Sequence, residues 1–262
     1  MGQTWLDVLF AHWPVPVARM RALVPSALEL DTFDDRAWVS VTPFDVVGAH
    51  PRGLPPVLPA SRFAELNVRT YVAVGGEPGI FFFSLDAASA LAVAGARALY
   101  RLPYFRARMR IERDVGAVDY VSERDDPRGP AAGLHARWHP AGAARPPAPG
   151  SLDAWLVERY RLYAVASRRV LAADIHHAPW PLQAADAEVH AERMLAPLGL
   201  EPEQAPVTHC AARQDVVIWP PRPVGLKLAG RRASRTKRMT SRVALRPQGL
   251  RSGSGGPAPG QP

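Results

Sequence analysis

Residues 64–73 read Ala64-Glu65-Leu66-Asn67-Val68-Arg69-Thr70-Tyr71-Val72-Ala73, and they alternate without a break. Side-chain direction in a strand repeats every two residues, so Ala64, Leu66, Val68, Thr70 and Val72 share one face. Glu65, Asn67, Arg69 and Tyr71 share the other, with same-face neighbours about 6.6–6.8 Å apart. An acid, an amide, a guanidinium and a phenol thus form one row. Taken alone, the pattern fits a half-buried strand with its polar side in water. The next segment weighs against that. Gly75-Gly76-Glu77-Pro78 reads as a turn and Gly79–Leu85 as the hairpin partner. In the partner, Ile80, Phe82 and Ser84 point one way and Phe81, Phe83 and Leu85 the other, which is a strand buried on both faces. Paired strands share faces, so the polar row must flank apolar surface, where charges are costly unless paired or bonded. The row reads as the wall of a polar-lined cavity.

The same reading extends along the chain. A helix is predicted over Val15–Leu23, between Pro14 and Pro25, and strands over Glu29–Phe33 and Trp38–Thr42 around an Asp34-Asp35 turn. The Pro-rich stretch 48–60 reads as a loop. Asp86 is placed as cap of a helix over Ala88–Arg101, which must stop before Pro103. Further strands are predicted over Phe105–Arg113, Asp119–Arg124, Leu134–His139, Tyr160–Val165, Arg169–His176, Leu182–Val189 and Val216–Trp219, and a short helix begins at Ser151 after a loop over 140–150. In the Phe105 strand, Arg106, Arg108, Arg110, Glu112 and Asp114 share a face and mark a solvated outer wall. Many short strands, few helices and no strand–helix–strand alternation predict an α+β, mainly antiparallel β-barrel with a few flanking helices.

Charge divides the chain. The sequence has 262 residues and a formal net charge of +8, but of its 32 basic residues nine lie in 225–262, where there is no acidic one. Residues 1–224 therefore hold 23 arginines against 24 acids. We expect a single domain over 1–224 and a disordered basic Arg/Gly/Ser/Pro-rich tail over 225–262. The tail lacks interleaved aromatics, so no specific nucleic-acid partner is expected. The start lacks a basic n-region, and the apolar stretch from Ile80 to Ala96 carries Asp86, which costs about 2.5–3.5 kcal/mol in a bilayer. A cytoplasmic protein without a membrane partner is expected, its oligomeric state unassigned.

Candidate chemistry is sparse. Arg69 and Arg97 suit a carboxylate, because guanidinium offers a planar fork. Glu65 is the best acid–base candidate, its pKa raised by enclosure unless Arg69 pairs with it. His176 and His177 alternate faces, and His135 and His139 stand about 13 Å apart on a strand, so no metal site is expected. Gly75-Gly76-Glu77-Pro78-Gly79 opens no helix, no nucleotide-loop motif occurs, and no cofactor is expected. Cys210 reads as a buried small hydrophobe.

Several strings resemble the YqjF-like family of uncharacterised bacterial proteins, in the acetoacetate decarboxylase-like superfamily. They are His12-Trp13-Pro14-Val15, the stretch from Phe63 to Val72, Phe82-Phe83-Ser84-Leu85-Asp86-Ala87, Ala96-Arg97, Leu102-Pro103-Tyr104, Tyr160-Arg161-Leu162-Tyr163, and the stretch from His176 to Leu182. The resemblance implies a β-barrel with an interior small-molecule cavity. It does not carry over the lysine imine of acetoacetate decarboxylase. That family's Gly-Phe-Pro-Lys-Lys corresponds here to Arg101-Leu102-Pro103-Tyr104-Phe105, and the only lysines, Lys227 and Lys237, lie in the tail. The candidate site is thus Glu65 and Tyr71 as catalytic groups, with Asn67, Arg69, Arg97, Tyr104 and His176 contacting a small carboxylate or acyl compound. Two readings stay open: a lysine-independent lyase, hydratase or isomerase, and a non-catalytic binding protein.

Overall fold

The computed structural model describes residues 1–50, 61–166 and 169–224. The Pro-rich loop beyond His50 and the basic tail lie outside them. The elements are β1 (Gly2–Val15), α1 (Val17–Leu23), β2 (Glu29–Leu30), β3 (Ala37–His50), β4 (Phe63–Val74), β5 (Glu77–Ala87), α2 (Ala90–Tyr100), β6 (Tyr104–Asp114), β7 (Ala117–Arg124), β8 (Gly133–Arg145), α3 (Leu152–Val157), β9 (Arg161–Ala166), β10 (Arg169–His176), β11 (Leu182–His190), α4 (Glu192–Leu195), β12 (Val207–Ile218) and β13 (Arg222–Pro223).

The sheet closes on itself twice. One circuit runs β1–β3–β4–β5–β6–β7–β8–β11–β12 and returns to β1; the other runs β1–β3–β4–β5–β9–β10–β12 and returns to β1. The strands common to both form a partition with a core on each side. Leu66, Val68 and Val72 of β4 face the first core with Tyr120 and Trp138. Tyr71 faces the second with Ile80, Leu162 and Ile175. The alternation read in β4 therefore separates two interiors rather than an interior from water. The neighbouring wall behaves as expected, since Arg106, Arg108, Arg110, Glu112 and Asp114 of β6 are exposed.

Several details differ from expectation. The pairings are mainly antiparallel, but β5 runs parallel to both β6 and β9. The segment β5–α2–β6 is thus the strand–helix–strand unit that the sequence did not reveal. Strand β1 escaped notice because Val8, Leu9, Phe10 and Ala11 are buried on both faces and leave no alternation. Strand β8 continues through Pro140 to Arg145, where a loop was expected. Asp86 does not cap α2. Ser89 does, its Oγ accepting from the Ala92 amide at 3.2 Å, while Asp86 ends β5 fully buried. The Arg124 guanidinium holds Asp86 through its Nε, at 3.0 and 3.1 Å from the two carboxylate oxygens, and through Nη2 at 2.6 Å.

Two irregularities aim side chains. Asp7 adopts φ 50°, and the pairing of β1 with β3 shifts its register by one between Leu6 and Ala11. That shift lets Gln3 and Trp5 face the same interior as Val8 and Phe10. In β5 the register slips by one at Phe83, since Val68 pairs with Ser84 but Arg69 with Phe82. The bulge turns Leu85, rather than Ser84, to the side of Ile80 and Phe82, correcting the facing expected from strict alternation.

Candidate functional site

The second interior holds a cavity with about 50 Å³ open to the centre of a water-sized sphere, room for a few waters or small-ligand atoms. Its apolar wall includes Trp5, Ile80, Phe82, Leu85, Leu102 and Trp180, and its polar groups include Gln3, Glu65, Asn67, Arg69, Tyr104, Arg159 and His177.

Glu65, Asn67 and Arg69 come from one face of β4 and are all buried. Glu65 lies where β4 meets the end of β5, opposite Ala87. Its Oε2 accepts from the Tyr104 hydroxyl at 3.1 Å. Burial raises its pKa from 4.5 to about 8, although the Tyr104 bond favours the ionised form. Tyr104 stays a neutral donor, since burial and the adjacent carboxyl hold its pKa well above the usual phenol range.

Arg69 has the reverse problem. Among the described residues no carboxylate pairs with it, and its Nε and Nη2 have no hydrogen-bond partner. Phe10 lies 5.6 Å from the guanidinium, an aromatic face that offers a cation–π contact without neutralising it. Burial lowers its pKa, yet a guanidinium stays charged in a protein. The question left by the sequence, whether Arg69 pairs with Glu65, is thereby answered: Glu65 bonds Tyr104, and Arg69 keeps an uncompensated charge.

The remaining candidates separate. Tyr71 is fully buried but does not line the cavity, because it lies behind Arg159, whose guanidinium is 4.9 Å from its ring, and against Trp155 at 4.5 Å. Its hydroxyl bonds His12 Nδ1 at 3.1 Å. Arg97 is not a lining residue either. It donates from Nη1 to the Tyr104 carbonyl at 2.8 Å, tying α2 to the start of β6. His176 is exposed at the end of β10, and His177 turns inward in its place. His177 stacks on Tyr160 at 4.5 Å, its Nδ1 lies 2.8 Å from the Ala178 carbonyl, and burial lowers its pKa.

Sequence reasoning missed Arg159. It lies between α3 and β9, where no periodicity applies, and it is buried. Nε donates to the Trp155 carbonyl at 2.6 Å and Nη1 pairs with Asp31, so its charge is balanced. Among the described residues, no group of three or more His, Cys, Asp or Glu side chains comes together to hold a metal ion. The cavity thus presents one uncompensated cation, a carboxyl whose raised pKa keeps it mostly protonated at neutral pH, and an apolar wall.

Family models match residues 2–215 to DUF2071, an uncharacterised conserved protein family. The chain belongs to the DUF2071 family. A relative, the uncharacterised protein YqjF of Bacillus subtilis (strain 168), is 49% identical over 221 residues, 84% of this chain and 90% of that protein. Solved structures share the fold. The enduracididine biosynthesis enzyme MppR complexed with pyruvate aligns with TM-score 0.62 at 13% identity, over 85% of this chain and 89% of that one. An acetoacetate decarboxylase-like enzyme from Sphingomonas wittichii RW1 gives TM-score 0.59 at 14% identity, over 85% and 92% of the two chains. Acetoacetate decarboxylase from Legionella pneumophila gives 0.56 at 11%, over 86% and 87%. This DUF2071 chain therefore has the acetoacetate decarboxylase-like fold. After α2 it places Tyr104 against Glu65 and lays Phe105 4.2 Å from the Arg124 guanidinium.

Proposed function

We propose that the cavity binds a small monocarboxylate bearing a keto, hydroxy or acyl oxygen, and that Glu65 transfers a proton to it. Arg69 is the carboxylate anchor. The observation that carries the reading is the pairing, in one cavity, of an uncompensated Arg69 with a Glu65 held neutral by burial. A single net positive charge favours a monoanion, because Arg159 is already balanced by Asp31. With its pKa near 8, Glu65 is mostly protonated at neutral pH and serves first as general acid, while Tyr104 holds it in place. The pyruvate bound by the similarly folded MppR supports a keto acid among the candidates. Proton transfer without a lysine imine is the chemistry of a lyase, hydratase or isomerase acting in the cytoplasm.

A thermal-shift series with pyruvate, acetoacetate, lactate and succinate tests this. The monoanions are expected to raise the melting temperature and the dianion to do so less, since a ligand of the folded state alone stabilises it. Arg69→Ala is expected to abolish the response. Glu65→Gln is expected to retain binding within a few-fold and lose turnover. No response to any monocarboxylate would overturn the proposal. Binding unchanged by Glu65→Gln, with no turnover in either protein, favours a binding protein without catalysis.

A further inference from the structure

Arg69 is not alone among the cavity-lining residues in carrying unmet polar atoms. Trp5 Nε1, Asn67 Oδ1, Arg159 Nη2 and Trp180 Nε1 are also buried without a hydrogen-bond partner among the described residues, and all four residues line the same cavity. Buried polar atoms are bonded as a rule, so a concentration of exceptions around one cavity marks the groups a ligand meets. The exceptions are nitrogens that can only donate, save one. Asn67 Oδ1 is the single acceptor among them. Its isolation follows from its neighbours. Asn67 stands between Glu65 and Arg69 on one face of β4, about 6.6–6.8 Å along the strand from each. Across the sheet it faces Thr42 of β3 and Leu85 of β5. The Thr42 hydroxyl is engaged with Ser40 Oγ at 3.2 Å, and the Leu85 side chain has no polar atom. Asn67 is only 4% exposed, so bulk water does not serve it either.

We infer that Asn67 determines specificity: its Oδ1 accepts from a hydroxyl of the ligand, so the cavity selects a hydroxy monocarboxylate over the keto acid of the same carbon skeleton. The inference rests on the carboxylate reading above, which seats the ligand on Arg69, and it narrows that reading to one substrate class. A hydroxyl answers both kinds of unmet atom. It donates its proton to Asn67 Oδ1, and its lone pairs accept from the unmet N–H groups of the wall. A keto oxygen has lone pairs only. It leaves Oδ1 unmet and sets two acceptors against each other in a buried site, where the desolvation of each goes unreturned. An ammonium has protons only, and it adds a positive charge where Arg69 already carries an uncompensated one. Along β4 the order Arg69, Asn67, Glu65 sets the hydroxyl beside the carboxylate, as in a 2-hydroxy acid, with the Glu65 carboxyl beyond it.

Lactate and pyruvate differ at that position alone, and titration calorimetry of the full chain with each measures the selection. The two enantiomers of lactate are titrated separately. The tighter one is expected to bind at least about tenfold more strongly than pyruvate, because a site built to bond a hydroxyl rejects the analogue that lacks it. Asn67→Leu keeps the branched outline of the side chain and removes the acceptor. It is expected to bring lactate and pyruvate to within about twofold of each other, since neither then leaves an unmet oxygen behind. Asn67→Ala, which adds no bulk, is expected to do the same and covers the case in which leucine does not pack. Equal binding of lactate and pyruvate to the unsubstituted protein would overturn the inference and leave the carboxylate reading standing. Binding of neither would overturn both. A preference for lactate that survives both substitutions would give the hydroxyl to another group and overturn the role of Asn67.

Discussion

Glu65 is an acid in an apolar wall, with only a phenol for company, and that position fixes its effect on stability. The unfolded chain loses this proton near pH 4.5 and the folded chain near 8. Between those values the folded state binds more protons, so stability falls as pH rises through the window and levels off above it. The slope from this group is about 1.4 kcal/mol per pH unit at most. Glu65→Gln is therefore expected to match the unsubstituted protein near pH 4.5 and to melt higher at pH 8, as read by calorimetry at both values. Equal melting temperatures at pH 8 would contradict the burial assigned to the carboxyl. The row Glu65, Asn67, Arg69 was legible in sequence because alternation reports faces directly. Tyr71 obeyed the same alternation, yet Arg159 and Trp155 cover it, and a period of two says nothing of what stands in front. His176 was preferred over His177 for want of any signal at a strand end, where one residue of slip exchanges inside for outside.

Elements bring these residues together through pairings that composition does not announce. The β5–α2–β6 crossover puts Tyr104 against Glu65, and the buried Asp86–Arg124 pair ties β5 to β7 beneath it. Arg124→Ala would leave the Asp86 carboxylate buried and unpaired, and a loss of about 3–5 kcal/mol in urea-unfolding free energy is expected. Arg124→Lys, which keeps the charge but not the fork, is expected to fall between the two. At the start of α2, Ser89→Ala removes the cap and is expected to cost about 1 kcal/mol in the same measurement. The sequence placed the start of α2 within two residues, but it gave the cap to Asp86, because either residue type suits a cap and only the register of β5 decides between them.

The described residues enclose two interiors divided by a common set of strands, and among them the uncompensated charge of Arg69 lies in the second. Barrel and cavity wall were readable from strand spacing and one alternating strand. The second circuit was not, because it depends on β5 meeting β6 and β9 in parallel, a long-range choice. The described residues that line the cavity fall between Met1 and Ile218, and removing 225–262 is expected to leave the melting temperature and any response to pyruvate unchanged. A drop beyond about 2–4 °C, roughly 1 kcal/mol at this size, would extend the domain into the tail. No helix among the described residues is long and apolar enough to cross a membrane. The account turns on the carboxyl of Glu65 being enclosed and neutral at working pH. Carbon-13 NMR titration of that carboxyl, assigned by its loss in Glu65→Gln, measures this directly. A midpoint near 8 is predicted; a midpoint near the ordinary value of 4.5 would put the group in water and remove the acid from the site.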